Sequence, residues 1–420
     1  MGVRKISLGF LFWSFFSINL FGQSVVTLDD CINWAVSISS ENLQKNLNEE
    51  LLEVKLHDAS SHIFPHLELL GSLNYYSHVP QLPYQLGYAP LSKDQYAVSL
   101  EFSQMLYDGH QFYYNRQYEK MMNRNELHKL DLSLNRIKDQ VIDVYLNLLI
   151  INKKIELLAI ADASINEQYE NAKVLLKEGV IYGNMVSQLE LEILKLQQQT
   201  EELYAIQNSL IHSLSLLTSH TLTESTFLTP EFPVLQQDLP SQRLELAIFE
   251  TTLKGLDYQK KLSISKSLPN LTLYASGGYG RPTYDLFDNQ FKWFYHVGLQ
   301  LRVPIISWAK TAGIGDIITL QKKIVEQQRS DFEKYNQMAI QEKWDEIAKI
   351  EKQLLLDEAI VAKQAAITES FKQQLKHGAI TPFDYIKQQN EELQSQINRE
   401  VHKMQLLKAG YELMALKGRL

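Results

Sequence analysis

The chain has 420 residues, of which 45% are hydrophobic, and a formal net charge of −8. This length and composition support a folded core and could fill two or three ordinary domains. The negative charge argues against nucleic-acid binding, which requires a basic face, so we predict no nucleic-acid partner. A single cysteine, Cys31, excludes an intrachain disulfide. Its position inside "TLDDCINWA" favours a small buried helix residue over a lipidated N-terminus.

Residues 1–22 are predicted to be a secretory signal peptide. Arg4 and Lys5 precede an apolar stretch that gives way to polar sequence at Gln23. Beyond this segment no run of 18 apolar residues exists, so no membrane-spanning helix is expected. The chain is therefore predicted to be exported, and any contact with a membrane must use strands or a surface.

The rest of the chain is predicted to be two copies of one unit, residues 23–221 and 242–420, joined by a linker over 222–241. "FPHLELLGSLNYY" from residue 64 matches "LPNLTLYASGGYG" from residue 268, and "KEGVIYGNMV" precedes "KHGAITPFDY" by 199 positions. Each copy is interpreted as helix, strand, strand, long helix, turn and helix. The predicted fold class is mainly α with a small β part.

Alternating apolar and polar residues predict four strands. Their predicted limits are 65–77, 95–105, 269–280 and 293–304. In the last strand Tyr295, Leu299 and Leu301 share one face, and His296 and Arg302 share the other. Strands of about ten residues with this alternation are typical of transmembrane barrels. They are also typical of half-buried soluble hairpins, and the alternation taken alone favours this soluble alternative.

The helices favour an elongated molecule over a globule. No proline or glycine occurs over residues 111–178, which predicts a single helix roughly 100 Å long. Apolar residues near 3-4 spacing from Val186 to Leu217 predict coiled-coil packing of the returning helix. Four strands cannot close a barrel, which needs at least about eight. If the strands enter a membrane, other chains must supply the rest: two chains are the minimum, and three would give twelve strands.

The ends of the long helices carry turn signals. Gly179 and Gly378 are predicted to adopt the left-handed conformation that ends a helix. Thr381 is predicted as the N-cap of the next helix, with Pro382 at its first position. Asp384 then completes a capping box.

No catalytic constellation is present in the sequence: it lacks an HExxH motif, a nucleophile elbow and clustered Cys and His ligands. His62 and His66 have helical spacing for a metal pair, but Pro65 interrupts that helix. "SGGYGR" lacks the lysine of a phosphate loop. We therefore predict no enzymatic activity, no cofactor and no metal.

Several short segments occur together in a specific order. They are "TLDDCINWA", "QMLYDG", "LKEGVIYGNM", "VPIISW", "LKHGAITPFDY" and "YELMALKGRL". In this order the chain resembles the TolC-type outer-membrane efflux proteins, the outer membrane factor family. The resemblance implies a homotrimer in the outer membrane of a Gram-negative bacterium, with a twelve-stranded β-barrel continuing into a long periplasmic α-helical barrel.

The resemblance also implies a function. Such proteins are exit ducts of tripartite efflux or type I secretion systems and take substrate from an inner-membrane pump through a periplasmic adaptor. The alternative is a periplasmic coiled-coil scaffold or adaptor that is not inserted in the membrane. A protein that fractionates with outer membranes as a trimer would distinguish the duct from the scaffold.

By resemblance, four residues near the tips would line the periplasmic entrance or constriction: Asp384, Lys387, Met185 and Gln188. Asp384 has two compatible interpretations, a capping acid and a constriction charge. Lys387 stands where the family often has a second acid, which would make the ring less attractive to cations. The tip turns, which are structural and would also contact the adaptor, comprise Gly179, Val180, Gly378, Ala379 and Thr381.

Aromatic residues cluster near the strand ends and outer loops. They fit an interfacial girdle against outer-membrane lipid or a pore mouth, and equally the tyrosines common on any β edge. The set comprises Tyr75, Tyr76, Tyr84, Tyr88, Tyr279, Tyr284 and Trp293.

Overall fold

The computed structural model describes residues 25–61, 63–80, 91–222, 226–234, 242–285, 288–306 and 308–419. The predicted signal peptide and parts of the predicted linker lie outside these residues. The elements in chain order are β1 (Val25–Val26), α1 (Leu28–Ile38), α2 (Ser40–Ser61), β2 (His66–Tyr75), β3 (Asp94–Tyr107), α3 (Gln111–Lys177), α4 (Gly183–Thr218), β4 (Thr226–Phe227), α5 (Leu244–Ser265), β5 (Asn270–Arg281), β6 (Lys292–Arg302), α6 (Trp308–Lys376) and α7 (Pro382–Leu416).

The predicted fold class is confirmed: most of the chain is helical, and a small sheet accompanies the helices. The order helix, strand, strand, long helix and shorter helix occurs twice. The long helices α3 and α6 contain 67 and 69 residues, and each is therefore roughly 100 Å long. Helices α4 and α7 return along them and make two antiparallel hairpins.

The helices pack through apolar clusters spaced along the hairpins. Helix α3 packs against α2, α4, α5 and α7, and α6 packs against α5 and α7. The predicted apolar stripe of α4 is partly buried, with Leu189, Ile193 and Leu196 facing neighbouring helices. Polar side chains cover much of the remaining helix surface, as expected for helices that meet water.

One cluster lies where the two repeats meet and includes part of the predicted linker. The short strands β1 and β4 pair in parallel, so Thr226–Phe227 is tied to Val25–Val26. The buried Tyr145 hydroxyl lies 2.9 Å from the Val26 carbonyl oxygen and 2.7 Å from the Leu228 carbonyl oxygen. The sequence predicted only a linker over 222–241, and it gave no signal for this pairing.

Cys31 belongs to the same cluster and is fully buried. Burial raises the pKa of its thiol to about 12. The prediction of a small buried helix residue is therefore confirmed.

The other four strands form one antiparallel sheet in the order β2-β3-β5-β6. Each strand lies within two residues of its predicted limits. Strand β3 of the first repeat pairs with β5 of the second, and Leu100 lies opposite Leu69 on one side and Gly277 on the other. The outer edges of β2 and β6 have no partner strand within the described residues.

The two faces of this sheet differ as the alternation predicted. In β6, Tyr295 and Leu299 stand on the apolar face and are 83% and 63% exposed. His296 and Gln300 stand on the opposite, polar face. One end of the sheet continues into the helices, and the other end, here called the loop end, lies where β2 and β5 stop at Tyr75 and Arg281. In the part of the chain that the structure describes, no helix is both long enough and apolar enough to cross a membrane.

Candidate functional site: the hairpin tips and the sheet surface

The tips of the two helical hairpins have the same backbone geometry. Gly179 and Gly378 adopt φ values of +73° and +68°. The amide of Val180 donates to the Leu175 carbonyl at 2.9 Å, and that of Ala379 donates to the Gln374 carbonyl at 2.9 Å. Together with the glycine amides, these bonds form a Schellman motif at both helix ends. The predicted left-handed glycines are therefore confirmed.

The restart of the second hairpin is a complete capping box. The Thr381 amide and hydroxyl both donate to Oδ2 of Asp384, at 3.1 and 2.6 Å. The Asp384 amide donates back to the Thr381 hydroxyl oxygen at 3.2 Å, and Pro382 opens the helix. The hydrogen bonds from Thr381, and secondarily the charge of Lys387, lower the pKa of Asp384. The capping interpretation of Asp384 is confirmed.

The first hairpin restarts differently. Tyr182 occupies the N-cap position with no side-chain hydrogen bond, and Gly183 follows it. Tyr182 is 80% exposed, and the neighbouring Val180 is 65% exposed. Met185 is half-buried and Gln188 is exposed at the positions equivalent to Asp384 and Lys387. The restart of the first hairpin thus has no charged residue at these two positions, while the restart of the second carries Asp384 and Lys387.

The two tips are held side by side by one apolar cluster. Leu189 of α4 and Ile165 of α3 belong to it together with Tyr385 and Ile386 of α7. Burial raises the pKa of the Tyr385 hydroxyl. Because Tyr385 and Ile386 face this cluster, the flanking Asp384 and Lys387 are left exposed on the same helix.

Asp384 and Lys387 do not form a direct ion pair. Within the described residues, no pair of their charged atoms meets the 4.0 Å limit of a salt bridge, and the Asp384 carboxylate bonds to Thr381 instead. The charge of Lys387 is therefore free to act over a distance. A constriction requires several chains around an axis, so the assignment of Asp384, Lys387, Met185 and Gln188 to a pore stays a prediction.

The predicted aromatic set divides between the two faces of the sheet. Tyr75, Tyr279 and Trp293 follow the apolar face near its loop end, where Trp293 is 82% exposed. Tyr284 instead reaches the polar face, where its hydroxyl bonds to the ring nitrogen Nδ1 of His296. Tyr76 is exposed just after β2. Tyr84 and Tyr88 lie outside the described residues.

Of the two histidines considered as metal ligands, His62 and His66, the first lies outside the described residues. His66 lies on β2, with its Nε2 atom 2.7 Å from Oε1 of Glu68. Within the described residues, no group of three or more His, Cys, Asp or Glu side chains is arranged to hold a metal ion.

These features define a class of fold: a duplicated unit in which two long antiparallel helical hairpins continue into an open four-stranded antiparallel sheet. Among solved structures, the chain is similar to the outer membrane protein VceC of Vibrio cholerae, with a TM-score of 0.72, 13% identity, and 93% and 96% of the two chains covered. It is also similar to the CmeC outer membrane channel of Campylobacter jejuni, with a TM-score of 0.70, 14% identity, and 100% and 94% covered.

A third similar structure is the open state of the MtrE outer membrane channel of Neisseria gonorrhoeae, with a TM-score of 0.70, 12% identity, and 93% and 88% of the two chains covered. No family model and no curated protein matches the chain. The fold is the TolC-type outer-membrane-factor fold, as the sequence resemblance predicted.

Proposed function

We propose that this protein is a passive exit duct in the outer membrane of a Gram-negative bacterium. It receives substrate from an inner-membrane pump through a periplasmic adaptor, and its chain performs no catalysis. The observation that carries this proposal is the two-faced sheet: an exposed apolar face and a polar face on strands that continue into helices roughly 100 Å long.

The apolar face supports insertion into lipid. Trp293 and Tyr295 are each more than 80% exposed on β6, and Leu69 and Leu73 are comparably exposed on β2. In water such a contiguous apolar face would be unfavourable, whereas in a bilayer it is solvated by acyl chains. A periplasmic scaffold or adaptor, the alternative function, would need another protein to cover this face.

The unpaired sheet edges support a closed ring of several chains. Backbone groups on an open edge would be unsatisfied in hydrocarbon at a cost of several kcal/mol each. Strand β2 runs away from the helices and β6 runs back towards them, so β6 of one chain can pair antiparallel with β2 of the next. Three copies of the four-stranded sheet give twelve strands, enough to close a barrel.

The helices beside these edges carry matching apolar surface. Helix α2 leads into β2 and exposes a stripe at Leu43, Leu47 and Leu51. Helix α6 follows β6 and exposes Ile317 and Leu320 on the other flank. A head-to-tail contact between these different flanks repeats around a rotation axis and closes into a ring. The same rotation supplies partners for the strand edges and for the helix stripes, which supports a homotrimer.

The hairpin tips are the surface proposed for the adaptor. They lie at the ends of the helices far from the sheet and expose Gly179, Val180, Gly378 and Ala379, with Thr381 half-buried beside them. Their Schellman geometry holds them in fixed positions. Around a threefold axis the two kinds of tip would alternate, and Asp384 and Lys387 would line the entrance with mixed charge.

The proposal is tested by cell fractionation followed by conductance in a planar bilayer. The protein is expected to sediment with outer membranes, to resist dissociation as a trimer in mild detergent, and to conduct ions after reconstitution. Release as a monomer by osmotic shock, with no conductance from the purified protein, would overturn the duct and favour the scaffold.

A further inference from the structure

A groove of about 370 Å³ interrupts the apolar face of the sheet. It spans β2, β3 and β5 of one chain, and β2 is also the edge strand at which a second copy would pair. Its main lining side chains are Leu73, Tyr96, Val98, Tyr279 and Phe291.

Gly71 is the reason that the groove exists. It occupies an apolar-face position of β2, between the highly exposed Leu69 and Leu73, and pairs with Val98. A Cβ atom built on Gly71 would meet no other atom within 4 Å. The missing side chain therefore leaves a gap in an otherwise continuous apolar row.

Aromatic rings build the side of the groove nearest the loops. The ring of Phe291 is nearly parallel to that of Tyr279, with centroids 5.8 Å apart. It also stacks on Tyr96 at 6.3 Å. Trp293 contacts Tyr279 at 5.3 Å and stands exposed on the same face. These stacked rings favour a groove with a fixed shape.

A guanidinium group lies at the same end. The central carbon of Arg281 is 5.0 Å from the Phe291 ring centroid and 5.7 Å from that of Tyr96. Its Nη2 atom bonds to Asp94. Its Nε atom is buried and has no hydrogen-bond partner among the described residues. Because Nε is buried, the Nη atoms of this partly exposed side chain are the donors that can reach a phosphate group.

We propose that this groove binds a phosphate-bearing, anionic lipid of the outer leaflet. One acyl chain lies in the gap at Gly71, and the headgroup lies against Arg281 at the loop end of the sheet. This inference rests on the proposed function, which puts the sheet in the outer membrane with its loops outwards. The apolar gap and the guanidinium at the loop end match the two halves of such a lipid.

Binding is measured by quenching of Trp293 fluorescence with lipids brominated on their acyl chains. The full-length protein is reconstituted in zwitterionic phosphatidylcholine and titrated with brominated phosphatidylglycerol, or with brominated phosphatidylcholine as the reference. Trp293→Phe gives the background from the other tryptophans. The wild type is expected to prefer the anionic lipid roughly fivefold, the effect of one basic side chain near a membrane surface. Equal quenching by the two lipids would overturn the proposal.

Two filling variants test the groove itself. Gly71→Phe places a ring in the gap and is expected to abolish preferential quenching. Leu69→Phe adds similar bulk to the same row outside the groove and is expected to keep the preference. Loss of preference in both variants, or in neither, would contradict a lipid held at Gly71.

Two charge variants separate lipid recognition from a structural role of the ion pair. Arg281→Gln is expected to remove the preference, whereas Asp94→Asn leaves the guanidinium without its competing carboxylate and is expected to strengthen it. An ion pair with only a structural role would make the two variants change in the same direction.

Conductance of the same preparations distinguishes failure of this inference from failure of the duct. Channels with normal conductance and no lipid preference would refute the groove alone. Protein that neither conducts nor inserts would refute the proposed function on which the groove rests.

Discussion

Replacing Thr381 by alanine removes the hydroxyl that joins both halves of the capping box at the second tip. Its oxygen accepts from the Asp384 amide at 3.2 Å, and its proton goes to the Asp384 carboxylate at 2.6 Å. Loss of a threonine N-cap typically costs ~1 kcal/mol of helix stability. Because the tip lies at the end of its hairpin, this cost should appear as local opening of the first turn of α7 and not as global unfolding.

Hydrogen exchange measured by mass spectrometry on the native protein tests this prediction. Amides over residues 384–386 are expected to exchange roughly fivefold faster in Thr381→Ala, the rate factor that corresponds to ~1 kcal/mol. The first turn of α4, which has no side-chain cap, provides the internal reference. Unchanged exchange in α7, or equal acceleration in both turns, would refute the assignment of local stability to the capping box.

The same cap predicts a pH dependence. Because Thr381 lowers the pKa of Asp384 in the folded chain, the stabilisation is present above the unfolded pKa and is lost as the pH falls through the folded value. The difference in exchange between wild type and Asp384→Ala should therefore shrink in acid. A difference that stays constant below the folded pKa would show that the ionised carboxylate is not the cap.

Three further predictions follow from the tips and the core. Asp384→Asn removes one charge per chain while keeping a hydrogen-bond acceptor. Conductance recordings in a planar bilayer should show a reduced preference for cations. Unchanged ion selectivity would leave Asp384 only its capping role. Gly378→Val puts a β-branched residue at a φ of +68°, a conformation that such a residue rarely adopts. This variant should abolish pump-dependent export while trimers persist. Normal export would argue against an adaptor surface at this tip. Tyr145→Phe removes the hydroxyl that bonds to the Val26 and Leu228 carbonyl oxygens, while the Val26 carbonyl keeps its bond from the Leu228 amide. It should destabilise the protein by about 1 kcal/mol, measured by thermal unfolding; an unchanged transition would show that these hydrogen bonds add little.

Local chemistry made the helices and turns predictable. A stretch without proline or glycine over 111–178 is sufficient for a long helix, and it became α3, Gln111–Lys177. Glycine at Gly378 and the sequence from Thr381 to Asp384 define their turn within ten residues. The strands were equally predictable because the alternation of apolar and polar residues is a property of neighbouring positions in the sequence.

The contacts that join distant parts of the chain were not predictable in this way. Nothing in the sequence around Phe227 indicates that this residue pairs with Val26, because a strand of two residues has no alternation to recognise. The groove at Gly71 likewise depends on what three strands place around one glycine. Sequence reasoning could have flagged Gly71 only as a gap in the row between Leu69 and Leu73.

Part of the candidate entrance could be predicted from local sequence, and part depends on contacts between distant residues. The resemblance selected Asp384 and Lys387, and capping chemistry explains the conformation of Asp384. The difference between the tips also follows from the sequence, because Tyr182 cannot cap a helix as Thr381 does. That Tyr385 and Ile386 lock the two tips together required the tertiary structure, since their partners come from the other repeat.

Disulfide trapping between chains tests the central claim, a closed membrane barrel, most directly. The only native cysteine, Cys31, is buried, so it should not form disulfides that compete with those of the introduced cysteines. Ser72→Cys on β2 is combined in turn with cysteine at positions 296, 298 and 300 of β6, all on the polar face. The account predicts that at least one combination forms covalent trimers on oxidation in isolated outer membranes. Monomers in every combination, with the protein in the soluble periplasmic fraction, would contradict it.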